Sequence, residues 1–223
     1  VFYTSEAQGD AAILVFRDST INGGGTIQEN AGSYVSLGLT GAANQDATLT
    51  LNNNLNVRWL DVDNPIRTLT VTTTNGSTLG YTSGTTWYIR GTMTFDIAVD
   101  VTRTTNGNLN LQSGAGAAGT QDIIVNAGQI WNDRDGNLTI SSTIAGGIQD
   151  FIVNGTLNST AGTLTVNAAG RLAGTGTINE NIVVGNGGIR GGAHALIGVE
   201  PERAPALLRP EFGEVEVVQR GGL

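Results

Sequence analysis

Apolar residues in this chain alternate with Thr or Asn at a period of two, in short bursts that end in Asn, Ser or Gly. Leu109/Leu111, Leu138/Ile140 and Leu164/Val166 are such pairs, and their alternation predicts half-buried strands rather than helices. After Asp122 and Asp150 come continuous apolar runs, Ile123-Ile124-Val125 and Phe151-Ile152-Val153. Asn and Gly tolerate left-handed backbone, so the burst ends can turn corners without strain. No stretch before residue 200 reads as a helix of about ten residues. Three of the four prolines lie beyond residue 200, which leaves the predicted strands uninterrupted.

The bursts recur. Asn108–Trp131 and Asn137–Ser159 both open with Asn-Leu-x-(Leu/Ile), pass through small residues, and reach Gln-Asp, three apolar residues and Asn. Asn108 aligns with Asn137 and Asp122 with Asp150, the second spacing being shorter because one position has dropped out between them. A third copy begins at Thr163 with two bursts, Leu164–Val166 and Ile182–Val184. Self-similarity at a period of about 20–50 residues marks a solenoid, propeller or array. At roughly 3.3 Å per residue such a coil has a perimeter of about 90 Å, which suits three sides with Gly/Asn corners. Rungs about 4.8 Å apart then make six to eight coils and a rod roughly 30–40 Å long. A propeller blade needs about 40–50 residues with aromatic signatures that are missing. The expected fold is all-β: a parallel β-helix of three-sided coils of about 26–29 residues, with a non-repeat C-terminal tail.

The remainder divides around that core. Thr48–Leu51, Thr68–Val71 and Thr92–Phe95 recur less evenly, so residues 26–190 read as one solenoid with irregular coils in its first half. Residues 1–25 read as an N-terminal cap or edge segment. Residues 191–223 contain three prolines, five of the eight Glu and no Asp, Asn or Thr. Within them Glu202–Arg209 suggests a short helix interrupted at Pro205, and Gly213–Val218 reads as a strand. This tail is expected to cap the last coil or to pair with a neighbouring subunit. A solenoid end presents unpaired strand edges that invite association unless they are covered.

Composition narrows the function. All 11 basic residues are Arg, against 19 acids, for a net charge of −8. With no basic cluster, nucleic acid is not an expected partner. No apolar run reaches the roughly 18–20 residues of a membrane-spanning helix. The absence of Cys removes disulfides, zinc-thiolate sites and thiol nucleophiles, and one His with no Lys removes most general bases. An acidic, Lys-free chain rich in Thr, Asn and Gly, opening on Val1 without a basic-then-apolar leader, suggests a secreted, processed chain or a fragment.

The third copy adds a resemblance. Gly162-Thr-Leu-Thr-Val-Asn167, Gly174-Thr-Gly-Thr-Ile178 and Ile182-Val-Val-Gly-Asn-Gly-Gly188 resemble the strand repeat of bacterial autotransporter passenger domains and related secreted β-helix adhesins. Joined by the looser match of Asn137–Asn158, it falls within 108–190 and is clearest over 162–188. The resemblance implies a β-helix serving as adhesin, scaffold or surface layer. After Gly188 the chain departs from it, because the Pro/Glu tail replaces a further coil.

Candidate chemistry is sparse. Parallel β-helices also carry polysaccharide lyases and hydrolases, which need carboxylates along a groove. Asp61 and Asp63, two apart on a strand and flanked by Arg58 and Arg67, form a candidate acid pair, against the plainer reading of a solvated strand end before Asn64-Pro65. His194 lies in GGAHAL with no acid beside it, and reads as a surface or packing histidine. Asn132–Asn137 resembles the start of a calcium loop, with oxygen donors at Asp133, Asp135 and Asn137. The closing Glu is missing, because Ile144 stands there, so a turn between coils is the simpler reading. The Thr-x-Thr pairs at 48/50, 68/70, 92/94 and 163/165 suggest a threonine ladder like those that bind ice in some solenoids. Their unequal spacing argues against one flat array. Trp59, Trp87 and Trp131 could stack on sugars but share no register, which favours packing. Asn75, Asn137, Asn154 and Asn158 head glycosylation triplets that matter only in a eukaryotic secretory host.

The chemistry therefore points to no catalytic, cofactor-binding or metal residue. The expected function is an extracellular or cell-surface scaffold, adhesin stalk or fibre subunit that is not an enzyme. Its partners would be further copies joined end to end through the solenoid termini, or a cell-surface glycan or protein. The alternative is a carbohydrate-binding or carbohydrate-cleaving β-helix such as a lyase, hydrolase or tailspike.

Overall fold

The structure is a computed structural model. It describes residues 2–5, 10–15, 17–23, 25–27, 35–39, 46–57, 59–62, 68–81, 86–101, 108–113, 119–134, 137–159, 162–185, 189–190 and 196–197. Every regular element among them is a strand. β1 (Phe2–Ser5) lies antiparallel on β2 (Asp10–Val15), and from β2 onward the strands come in threes, one for each of three sheets. β2, β3 (Ser19–Ile21) and β4 (Thr26–Ile27) form the first trio; β5 (Val35–Leu39), β6 (Ala47–Leu51) and β7 (Asn54–Val57) form the next. Then follow β8 (Trp59–Val62), β9 (Thr68–Thr72) and β10 (Thr78–Tyr81), and β11 (Thr86–Ile89), β12 (Thr92–Asp96) and β13 (Ala98–Val101). The repeats found in the sequence supply β14 (Asn108–Ser113), β15 (Gly119–Val125) and β16 (Ile130–Asp133), then β17 (Asn137–Ser141), β18 (Gly147–Val153) and β19 (Thr156–Ser159). Shorter strands close the stack: β20 (Leu164–Val166), β21 (Gly170–Ala173) and β22 (Thr177–Asn179), then β23 (Ile182–Val184), β24 (Ile189–Arg190) and β25 (Leu196–Ile197).

Each strand pairs in parallel with its counterpart in the next trio, making a β-solenoid whose three sheets hold nine, eight and eight strands. The first sheet begins with β1 and β2 and ends at β23, the second runs from β3 to β24, and the third from β4 to β25. Of the residue 1–25 segment, β2 and β3 already pair in parallel with β5 and β6. The repeat alignment survives in the register: Asn108 faces Asn137 and Asp122 faces Asp150. One burst falls elsewhere than its pattern suggested. Ile182–Val184 is no second side of the third copy, because it pairs with Leu164–Val166 and so opens the next coil, sooner than the earlier repeats would place it. The second-sheet counterpart of Phe151-Ile152 is Leu172-Ala173.

Alternation decides which residues face inward. In the second sheet Leu49, Val71, Phe95, Val125 and Val153 stack in one buried column, and Leu69, Met93, Ile123, Phe151 and Leu172 in the next. The third sheet contributes Leu55, Leu79, Val99, Trp131, Leu157 and Ile178. Large rings fill the middle of the stack: Trp131 sits 5.5 Å from both Trp87 and Phe95 and 5.2 Å from Phe151, while Trp87 meets Tyr81 edge-on. Where rungs draw closest, only glycine fits: a Cβ on Gly174, at φ 125°, would stand 2.1 Å from the Val153 carbonyl oxygen. Among the described residues no helix is long and apolar enough to cross a membrane.

Candidate functional site

The outward faces carry the polar side chains, and there the parallel register stacks like on like. On the second sheet Thr48, Thr70 and Thr94 form one column, and Thr20, Thr50, Thr72 and Asp96 another two residues along. Three of the four Thr-x-Thr pairs thus lie in one sheet on successive rungs, contrary to the expectation from their spacing. Coils of different length place their extra residues between strands, so Thr48 still meets Thr70, and Thr70 meets Thr94, with the ladder intact. The fourth pair departs, because Thr165 belongs to the first sheet.

Further along the same sheet, the column that starts Thr68–Thr92 continues as Asp122, Asp150 and Arg171. Two carboxylates in register would repel one another. Arg171 relieves this with a bidentate bond to Asp150, while the Thr92 hydroxyl donates to Asp122. Burial pushes the Asp122 carboxyl above its ordinary value, and the Asp150 charge adds to the rise; Thr92 and Arg171 pull it back. The bond to Asp150 holds the Arg171 guanidinium above its usual range. Behind them Gln121 and Gln149 are buried, with the Gln149 amide donating 3.1 Å to the Gln121 carbonyl.

The third sheet repeats the device. Asp100, Asn132, Asn158 and Asn179 form an outward column in which the Asn179 amide donates 2.8 Å to Asn158, and Asn158 donates 3.2 Å to Asn132. Arg134 forks onto Asp100, its Nη2 at 2.8 Å. At the corner between second and third sheets, Asn52 donates to Asn22 and accepts from the Thr74 hydroxyl. These polar groups run along the rod, and Asn22–Asn52–Thr74, Thr72–Asp96, Thr92–Asp122, Asp150–Arg171 and Asn132–Asn158–Asn179 are bonded from rung to rung. What the arrangement does chemically is tie rung to rung.

The sequence-derived candidates fare unevenly. Asp61 is placed in β8, in register with Tyr88 of β11, whose side chain is exposed; Asp63, Arg58, Arg67 and His194 lie outside the described residues. Trp87 and Trp131 are fully buried, and so are no platform for a sugar; they come from different sheets and meet in the interior. Asp133 occupies the inward column of Val57, Tyr81 and Val101 and is buried, whereas Asn137 starts β17 on the exposed side. Two of the three calcium donors therefore face apart, and Asp135 lies outside the described residues. Among the described residues no three His, Cys, Asp or Glu side chains come close enough to hold a metal ion. Sequence reasoning missed the Asp122–Asp150–Arg171 column, although the repeat alignment had already laid Asp122 on Asp150. Stacked like charges called for a cation one rung on, at Arg171. No family model, curated protein or solved structure matches this chain.

Proposed function

We propose that the protein is an extracellular or cell-surface structural solenoid, a scaffold or adhesin stalk that performs no catalysis. The observation that carries this reading is the use of outward polar groups as ladders between rungs, over a continuous apolar interior. A surface committed to its own neighbours suits a rigid spacer. The resemblance to autotransporter passenger repeats and the acidic, Lys-free composition support placement outside the cell. Negative-stain microscopy across a concentration series tests it. A stalk gives one short rod at every concentration; strings that lengthen with concentration mark the fibre subunit joined end to end; and compact particles with no long axis refute both.

A second reading rests on Asp61 of β8 standing in register with the exposed Tyr88 of β11. It makes the protein a carbohydrate-binding or carbohydrate-cleaving β-helix. A glycan array and a polysaccharide depolymerisation assay decide this, and binding lost in both Asp61→Asn and Tyr88→Ala would replace the structural reading.

A further inference from the structure

Five Asn-Gly pairs occur in the chain, and a glycine after asparagine leaves the next backbone nitrogen without a side chain to shield it. Two of them, at 106–107 and 186–187, lie outside the described residues. The fold treats the other three differently. Asn75-Gly76 forms the exposed turn between β9 and β10, with Gly76 at φ 78° and open space where a Cβ would stand. Asn154-Gly155 occupies the matching corner between β18 and β19. There Gly155 is buried, its N–H donates 3.2 Å to the Val125 carbonyl, and a Cβ would stand 2.2 Å from the Gln129 carbonyl oxygen. Asn22-Gly23 is exposed, and the Asn52 amide donates 2.8 Å to Asn22 Oδ1.

At Asn75 three donors converge on one oxygen. The Thr73 hydroxyl reaches Asn75 Oδ1 at 3.0 Å, the Ser77 N–H at 3.1 Å and the Ser77 hydroxyl at 2.6 Å. On the other side of the carboxamide, Nδ2 donates 2.9 Å to the Asn52 carbonyl. Asn75 Cγ thus carries an oxygen on which negative charge is stabilised, and the Gly76 nitrogen is tethered beside it by the chain. Proximity of nucleophile and carbonyl, with donors aimed at the developing oxyanion, lowers the barrier to attack.

We propose that Asn75 is a site of self-catalysed deamidation, activated by the Thr73 and Ser77 donors. The Gly76 nitrogen gives its proton to solvent and bonds to Asn75 Cγ, and charge collects on Oδ1. The Cγ–Nδ2 bond then breaks as Nδ2 takes a proton and leaves as ammonia, closing a succinimide. Water reopens the ring: cleavage of the new bond to Cγ gives aspartate, and cleavage of the original peptide bond gives isoaspartate. Nothing is oxidised or reduced. Either product loses the Nδ2 donor to the Asn52 carbonyl and adds a negative charge, which loosens this corner from the rung below.

The unaltered full chain, incubated at neutral to mildly alkaline pH and then cut at arginine, tests this by mass spectrometry, because the peptide from Thr68 to Arg90 carries Asn75 as its sole asparagine. In the folded protein Asn75 is expected to convert roughly tenfold or more faster than Asn154, whose nucleophile is released only by local opening. Asn75 should also react no more slowly folded than in urea, where Asn154 catches up. Ser77→Ala, with its fold checked by circular dichroism, removes a hydroxyl donor and should slow Asn75 roughly three- to tenfold, less than the loss in a water-excluded oxyanion hole. Equal rates at Asn75 and Asn154 in the folded chain would overturn the proposal. Faster reaction of Asn75 in urea, or an unchanged or faster reaction in folded Ser77→Ala, would overturn it in favour of donors that lock the carboxamide away from attack.

Discussion

Replacing Trp131 with Ala removes the centre of the aromatic stack. The indole is fully buried on β16 and lies 5.5 Å from Trp87, 5.5 Å from Phe95 and 5.2 Å from Phe151, so it ties together side chains from all three sheets. Truncating a buried Trp to Ala typically costs about 3–5 kcal/mol, most of it lost burial plus the void that rigid neighbours cannot fill. The parallel ladders on either side fix the rung spacing and limit collapse, which puts Trp131→Ala at the upper part of that range. Trp131→Phe behaves differently. It keeps a ring against Phe95 and Phe151, and it deletes an indole N–H that meets no acceptor among the described residues. Removing a buried, unbonded donor offsets part of the lost volume, so the cost stays below about 1.5 kcal/mol. Urea unfolding followed by circular dichroism reads both. With an m-value of about 2 kcal/mol per molar, Trp131→Ala moves the midpoint down by roughly 2–2.5 M and Trp131→Phe by less than about 0.8 M. Stability in a stacked array is largely a nearest-neighbour sum, so hydrogen exchange should quicken first in β13, β16 and β19. A Trp131→Ala shift under about 0.5 M, or equal shifts for the two variants, would refute this account of the core.

Three further outcomes are expected. Arg171→Gln leaves the carboxylates of Asp150 and Asp122 in register without their cation. Discounted for the partial exposure of Arg171, this should cost about 1–3 kcal/mol at pH 7, with the gap to the parent protein narrowing as added salt screens the pair; a gap that does not change with ionic strength would sink the electrostatic explanation. Because Asp122 is raised in the folded state, its ionisation opposes folding: its contribution is fully favourable below the unfolded carboxylate range and is lost as pH rises through the folded value. Asp122→Asn should therefore raise the melting temperature slightly at pH 7 and have no such benefit near pH 3, as calorimetry at the two pH values would show. Ala169 holds φ at 55°, where Gly146 holds 74° at the equivalent corner one rung earlier, so Ala169→Gly should stabilise by up to about 1 kcal/mol, and a loss of stability on chemical denaturation would contradict the strain argument.

Much of the architecture is legible in the chain. Period-two alternation names the inward residues of strands such as β14, β17 and β20, since a parallel stack with one buried face admits only one phase of the pattern, whereas the apolar runs of β15 and β18 leave the phase to the register. The matched positions Asn108/Asn137 and Asp122/Asp150 supply the register as well, because a rung pairs with its own repeat. Irregular coils hide the rest. Unequal Thr-x-Thr spacing reads as incompatible with a flat array, yet strand pairing holds Thr48, Thr70 and Thr94 in one column while the surplus residues fall between strands. The burst at Ile182 reads as the second side of a coil because sequence alone does not show that the coil has shortened.

By itself, then, the sequence determined local conformation, handed each residue to one face of a strand, and made stacking the way to bury the apolar face. Tertiary structure alone decided which faces meet. Trp87, Phe95 and Trp131 lie on three different sheets and share no spacing in the chain, but closing the coil brings them to one interior. Arg171 and Asp150 stand far apart in the chain with nothing in their local sequence to pair them, and the ladder makes them neighbours. The physical reason is the same in both cases. Alternation is a property of one strand, whereas contact across the coil depends on the length of every turn between.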